Sequence, residues 1–237
     1  MGGLAESTCD LPGILISRIK RSGMRLKNIP AAKPAIEKSD FCIKTATDYK
    51  GQWKKSFSNE KPIYLEIGMG KGQFIMTLAA QNPDSFYLGM ELHASVLYRG
   101  LQKLEADPLD NLLLLNYPAE ELTDMFERGE IDGIYLNFSD PWPKERHAKR
   151  RLTAKPFLDR YAALLNPGGR IEFKTDNRSL FDFSIETIDE HPCFDISEKS
   201  YDLHADPVLS LGNIMTEYEE RFSAMGNPIC KLTAIRL

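Results

Sequence analysis

The stretch Pro62-Ile63-Tyr64-Leu65-Glu66-Ile67-Gly68-Met69-Gly70-Lys71-Gly72-Gln73-Phe74 restricts what the chain can fold into more than any other. A mostly apolar run ends in three alternate glycines, after which apolar residues recur at Phe74, Ile75, Leu78 and Ala79. That pattern predicts a buried strand over 63–67, a tight turn and an amphipathic helix over 73–81. Glycine tolerates torsions closed to other residues and lets a ligand lie against the main chain, and the start of the helix offers unpaired N–H groups. The spacing Gly68-x-Gly70-x-Gly72 is neither the G-x-G-x-x-G of dinucleotide sites nor a P-loop ending in Gly-Lys-Ser/Thr, so a pyrophosphate ligand is disfavoured. Glu66, inside the strand just before the turn, would repel a phosphate but attract a cationic ligand such as the ammonium of S-adenosylmethionine.

Further strands are predicted over 86–90, 112–115, 131–138, 170–174, 194–200 and 229–235, with helices over 94–104, 120–128, 154–165 and 178–189. Asn166-Pro167-Gly168-Gly169 stops the helix over 154–165. Thr216-Glu217-Tyr218-Glu219 reads as an N-cap with a capping-box carboxylate at Glu219, opening a short helix that Gly226 closes. The alternation implies an α/β fold, a mostly parallel sheet with helices on both faces, and a functional edge at the strand C-termini. At 237 residues and 42% hydrophobic, the chain fits one large domain. We assign residues 61–237 to it and residues 1–60 to an N-terminal extension and basic lead-in. Residues 1–23 read as a local extension or an upstream start. Arg25, Lys27, Lys33, Lys38 and Lys44 stud a segment that is either a solvated lead-in or a basic arm on a polyanion.

Cys9, Cys42, Cys193 and Cys230 form no C-x-x-C pair, which argues against a zinc site and for a reducing cytoplasm. The apolar stretch from Leu11 to Ile16 is too short to span a membrane and follows Glu6 and Asp10, so neither membrane nor targeting segment is expected. A net charge of −4 does not suggest a generic polyanion binder, so any nucleic-acid affinity must come from local clusters.

The predicted strand ends carry Glu66, Glu91, Asn116, Asp140 and Asp176, which a parallel sheet would bring to one crevice. Glu91 follows the glycine turn by roughly 20 residues, where an acidic side chain can hold two ribose hydroxyls. Together with Glu66 it favours an adenosine ligand without phosphates, a description that S-adenosylmethionine fits. In Asn137-Phe138-Ser139-Asp140-Pro141-Trp142-Pro143-Lys144 the prolines stiffen the backbone beside a carboxylate and an aromatic ring. Lys144, Arg146, His147, Lys149, Arg150 and Arg151 place six potentially cationic residues in eight positions, either a phosphate grip or a solvated face. His147 has no metal-ligand companions at a suitable spacing, and no metal is expected. Lys174-Thr175-Asp176-Asn177 offers a donor, a hydroxyl, a carboxylate and an amide that could read a base edge.

Taken together, LEIGMGKGQF, YLNFSDPWPKERHAKRRL, FKTDN and GNIMTEYEERFS resemble the bacterial-type tRNA (guanine-N7-)-methyltransferases, over about Met24 to Leu237. The resemblance implies a class I S-adenosylmethionine-dependent (Rossmann-like) fold and methylation of the variable-loop guanine of tRNA, conventionally position 46. It implies that Glu66, Glu91 and Asp140 belong to the cofactor site, to which the turn reading adds Gly68 and Gly70. Asp140 is also the catalytic candidate, because a fixed carboxylate beside the purine would stabilise the positive charge that methylation puts there. The resemblance assigns Lys144, Asp176, Thr216, Glu217, Tyr218 and Glu219 to the substrate, and Glu145, Arg146, His147, Ala148, Lys149 and Arg150 to RNA contact. Many members carry a cofactor-contacting aspartate just after the third strand, but this chain reads Asn116-Tyr117-Pro118-Ala119, which leaves the adenine to backbone or Asn116. Two rival readings stand beside this one. One is a class I methyltransferase acting on a small molecule or another nucleic acid, of which the small-molecule enzyme would not require the basic strip; the other is a non-catalytic tRNA-binding subunit, which would not require the cofactor turn. A monomer or a homodimer is equally compatible with the sequence.

Overall fold

The computed structural model describes residues 28–237, so the expectations for residues 1–23, Arg25 and Lys27 fall outside it. In chain order the elements are α1 (Ala32–Lys38), β1 (Cys42–Ile43), β2 (Ile63–Ile67), α2 (Gln73–Gln81), β3 (Phe86–Met90), α3 (Ala94–Ala106), β4 (Leu112–Leu115), α4 (Leu122–Met125) and β5 (Ile131–Asn137). They continue with α5 (Lys155–Leu164), β6 (Leu165–Thr175), α6 (Arg178–Asp189), β7 (Phe194–Ser200), α7 (Glu217–Ser223) and β8 (Cys230–Arg236). The strands form one sheet in the order β1-β4-β3-β2-β5-β6-β8-β7. All pairings are parallel except those of β8, which runs against both β6 and β7. The order reverses between β2 and β5, beside the glycine turn, and a crevice at such a switch point is where open α/β sheets bind ligands.

Side-chain alternation along the strands builds a core on each face. Phe86, Leu88 and Met90 pack with Leu122, Phe157, Leu158, Tyr161 and Phe181. Tyr87, Leu112 and Leu114 pack with Ile36, Ile75, Leu97, Leu101 and Leu104. Thus α1, α2 and α3 cover one face, and α4, α5 and α6 the other.

The lead-in contributes structure. α1 lies against α3, β1 adds a strand beside β4, and Trp53 is fully buried with its indole N–H donating to the Met125 carbonyl at 2.8 Å. Glu130 accepts from the backbone N–H groups of Gly51, Trp53 and Glu127 at 2.8–3.0 Å, tying this segment to the start of β5. Lys44 folds back onto the carbonyls of Ser39 and Cys42.

Two expected elements change by more than one or two residues at an end. The helix expected over 120–128 is a 3₁₀ turn, Ala119–Glu121, followed by the short α4. The chain leaves it at Phe126 (φ −121°, ψ 143°), whose ring stacks on Trp53 at 5.1 Å, so tertiary packing ends the helix early. The strand expected from 170 starts at Leu165, because Leu165 already pairs with Ile131 across an irregularity between Ile131 and Gly133. Among the described residues no helix is long and apolar enough to cross a membrane.

Candidate active site

At the turn after β2, Gly68 and Gly70 have φ of 78° and 60°, torsions that favour glycine. A Cβ added to either would meet nothing within 4 Å among the described residues, which leave open space over the turn. The N–H groups of Gly68 and Met69 both donate to the Met90 carbonyl, at 2.8 and 2.9 Å, which locks the turn to the end of β3. Glu91, the next residue, accepts from the Gly70 N–H at 3.2 Å and the His93 N–H at 2.8 Å. Burial raises its carboxyl above the usual range, and those two N–H groups oppose the rise.

A cavity of about 580 Å³ opens here, within the usual range for small-molecule sites. Gly68 and Glu91 wall one side, and Ser139, Asp140, Trp142 and Arg150 the other. The β4 exit closes the end with Tyr117, Ala119 and Glu120. Of the carboxylates expected in one crevice, Glu91 and Asp140 meet in this cavity. Glu66 does not line it. It is 1% exposed, with Oε1 accepting from the Asn137 amide at 2.8 Å and Oε2 lacking a hydrogen-bond partner among the described residues. Burial pushes its carboxyl up to about 7, against the lowering effects of Asn137 and Lys174. Asn116 is not on the lining either, since its amide donates to the carbonyls of Glu91 and Leu92 at 2.8 and 3.0 Å and braces the β3 exit. Glu120 is the lining carboxylate that sequence reading missed. The signal was its position two residues after Pro118.

Beyond β5 the chain makes a constrained corner, with Phe138 and Trp142 at φ of 53° and 41°. Arg151 donates through Nε and Nη2 to the carbonyls of Pro141 and Trp142, at 3.1 and 3.2 Å, so this member of the cationic run braces the corner. The following 3₁₀ segment, Glu145–Arg150, buries none of its residues and exposes Glu145, Arg146, Lys149 and Arg150, with Lys144 exposed just before it. The Arg150 guanidinium lies 4.9 Å from the Trp142 ring centroid, and His147 meets the indole edge-on at 5.7 Å.

At α7 the Thr216 hydroxyl caps the helix, accepting from the Glu219 N–H at 3.0 Å, as expected. The capping-box reading of Glu219 is corrected. Its carboxylate is fully buried, accepting from Lys174 Nζ at 2.6 Å and the Asn213 amide at 2.7 Å, with His204 Nε2 at 3.3 Å. A buried carboxylate takes the strongest charge partner within reach, which here is an ammonium from β6. Lys174 also donates to Asn213 Oδ1 and the Ile214 carbonyl; burial lowers its pKa, and Glu219 opposes the shift.

The expectation that residues 174–177 act together on a base edge is corrected in the same way. Lys174 is buried in this pair, Thr175 Oγ1 accepts from the Asn177 N–H, and Asn177 caps α6. Asp176 accepts from the Tyr218 hydroxyl at 3.2 Å. Glu217 pairs with Lys71 and Lys103 at 2.9 and 2.6 Å, and Gln73 donates to Glu220 at 2.7 Å, so α7 is strapped across the turn and α3.

A family model described as "Putative methyltransferase" matches residues 60–232. A tRNA (guanine-N(7)-)-methyltransferase of Lachnoclostridium phytofermentans is 51% identical over 90% of this chain and 99% of its own length. The chain belongs to the tRNA (guanine-N(7)-)-methyltransferase family. The member of that family from Bacillus subtilis is 49% identical over 87% of this chain and 96% of its own. Among solved structures, the 16S rRNA methyltransferase KamB superposes with a TM-score of 0.58 at 18% identity, covering 79% of this chain and 94% of that one. An antibiotic-related methyltransferase gives 0.55 at 17% identity over 81% and 94%. These distant likenesses speak for the fold, a class I methyltransferase sheet with helices on both faces.

Proposed function

We propose that the chain transfers a methyl group from S-adenosylmethionine to N7 of the variable-loop guanine, conventionally position 46, of cytoplasmic tRNA, acting as a monomer or a homodimer. The observation that carries this reading is one cavity bounded by the glycine turn and Glu91 on one side and by Asp140, Trp142 and Arg150 on the other. The residues present suit the cofactor. Glu91 offers a fixed carboxylate to the ribose hydroxyls, and open space over Gly68 and Gly70 leaves room for the aminoacyl end. Leu92, Tyr117 and Ala119 give the adenine an apolar wall. Glu120, whose carboxylate has no hydrogen bond or ion pair among the described residues, would take the adenine amine where Pro118 offers no acceptor. Glu66 and Asn116 would support this floor from behind. When bound, the cofactor supplies an electrophilic methyl group on a sulfonium.

Guanine N7 presents a lone pair and no proton, so the residues here need not supply a general base. Their task is alignment and placement of charge. Asp140, a carboxylate at the cavity, would offset the positive charge that arrives on the purine. Asp176 and Tyr218 would flank the base, and Glu217 and Glu219 would hold α7 for them. Lys144 and the segment Glu145–Arg150 would track the RNA backbone, and residues 61–237 would form the catalytic domain with 28–60 packed along its β4 edge.

The test is incubation of the purified protein with labelled S-adenosylmethionine and unmodified tRNA, with the product mapped by borohydride and aniline cleavage, which cuts at 7-methylguanosine. A methyl group on another atom or in another loop would overturn the reading.

A further inference from the structure

Trp142 has φ of 41°, a backbone conformation that a bulky residue adopts only where its surroundings enforce it. The enforcement is visible. Pro141 and Pro143 flank the residue, and Arg151 clamps the Pro141 and Trp142 carbonyls while its guanidinium lies 4.3 Å from the Phe183 ring centroid. The indole held this way lines the same cavity as Asp140. It already carries a flat, delocalised cation, the Arg150 guanidinium, 4.9 Å from its ring centroid. Cation–π attraction of this kind strengthens when water is excluded.

Guanine becomes a flat, delocalised cation when N7 is methylated. The N7 lone pair forms the new N–C bond as the S–C bond breaks, the electron pair of that bond returns to sulfur, and no proton moves. One positive charge thereby leaves the sulfur and appears on the purine.

We propose that Trp142 is a catalytic residue whose indole face receives the target guanine and stabilises the charge arriving on it, and that Arg151 is the positioning residue that holds the indole. The proposal rests on the guanine-N7 reading above. Before transfer the neutral base gains only stacking from the indole; as charge develops it gains cation–π attraction as well. An interaction that grows toward the transition state raises turnover rather than ground-state affinity. Arg150, exposed and long, yields this face to the base and turns to a backbone phosphate, which also removes a like charge from the purine.

The chain has two tryptophans, and Trp53 is fully buried in the core, so a nucleotide entering the cavity reaches only Trp142. Fluorescence of the wild-type protein saturated with S-adenosylhomocysteine is titrated with 7-methylguanosine 5′-monophosphate and with guanosine 5′-monophosphate. The methylated nucleotide should quench at concentrations about tenfold lower, the scale of one cation–π contact. Trp142→Leu should abolish the quenching and slow single-turnover methylation of tRNA about tenfold with KM little changed, while Trp142→Phe keeps most of the rate. Arg151→Ala should erase the preference for the methylated nucleotide.

Calorimetric binding of S-adenosylhomocysteine reports whether each variant is folded; if Trp142→Leu is not, the wild-type nucleotide preference decides alone. Equal quenching by both nucleotides, quenching by neither, or a Leu variant as fast as wild type would overturn the proposal. If the wild type makes 7-methylguanosine without that preference, the function stands and Trp142 loses this role; if it makes none, the functional reading itself fails.

Discussion

A buried carboxylate with one oxygen bonded to Asn137 and the other without a hydrogen-bond partner among the described residues, as in Glu66, titrates where most glutamates do not. Its folded pKa of about 7 lies above the ordinary value of 4.5, so between these values the folded protein binds more protons than the unfolded chain. The contribution of this residue to stability is therefore complete below pH 4.5 and is lost as pH rises through 7. Glu66→Gln, which stays neutral, should leave stability little changed at pH 5 and raise it at pH 8, by about 3 kcal/mol at most. Urea midpoints across that range check this, and parallel curves for the two proteins would remove the burial argument. Glu91→Ala should weaken S-adenosylmethionine binding by about 1–3 kcal/mol, the scale of hydrogen bonds to a charged group, with calorimetry as the measure. The placement of Glu91 beside the glycine turn was legible in the sequence because it follows from spacing along a strand, a turn and a strand. Asn116 was not, because its amide answers to two carbonyls on the neighbouring β3 exit, 24 and 25 residues away.

At the scale of elements, the same contrast separates α2 from α7. The helix after the glycine turn runs from Gln73 to Gln81, as its apolar spacing predicts, and β2, β3, β4, α6 and β7 also match their expected limits. Local pattern suffices for them because each buries one periodic face. Thr216 was legible as a cap, but the partner of Glu219 was not, since Lys174 lies 45 residues earlier, on β6. The path of residues 28–60 was equally hidden, because β1 has only two residues and is defined by the β4 edge that it joins. The Lys174–Glu219 pair should be costly to break from one side. Lys174→Met leaves the Glu219 carboxylate buried beside Asn213 and His204 without its ammonium partner, and should destabilise the protein by about 3–5 kcal/mol. Removing both charges with Lys174→Met and Glu219→Leu should recover much of that stability. Denaturant melts of the three proteins test the account; a double variant no better than the single one would mean that packing, and not unpaired charge, sets the cost.

The whole molecule carries a net charge of −4, yet its charges are not evenly spread. Lys144, Arg146, Lys149 and Arg150 are exposed beside the cavity, whereas Glu186, Asp189 and Glu190 at the end of α6 and Asp195 and Glu198 on β7 are exposed at one edge of the sheet. At physiological salt, charges separated by more than about 8 Å are largely screened, so the acidic edge does little to cancel attraction at the cavity mouth. It disfavours RNA on that side. If the cationic segment grips phosphates, removing each cation that pairs with one should lower the slope of log K against log salt by about 1. Arg146→Ala combined with Lys149→Ala should therefore weaken tRNA binding most at low salt, flatten the slope by about 1–2, and leave S-adenosylhomocysteine affinity unchanged. Neither side chain lines the cavity, so a changed cofactor affinity would point to a disturbed fold instead. Asp195→Asn with Glu198→Gln serves as the control, since it raises the net charge without adding a cation to pair with a phosphate and should leave the slope unaltered. Binding titrations of the three proteins at several salt concentrations separate the two accounts. A slope that moves equally in both variants would assign the salt dependence to net charge, and one that moves in neither would make the segment a solvated face.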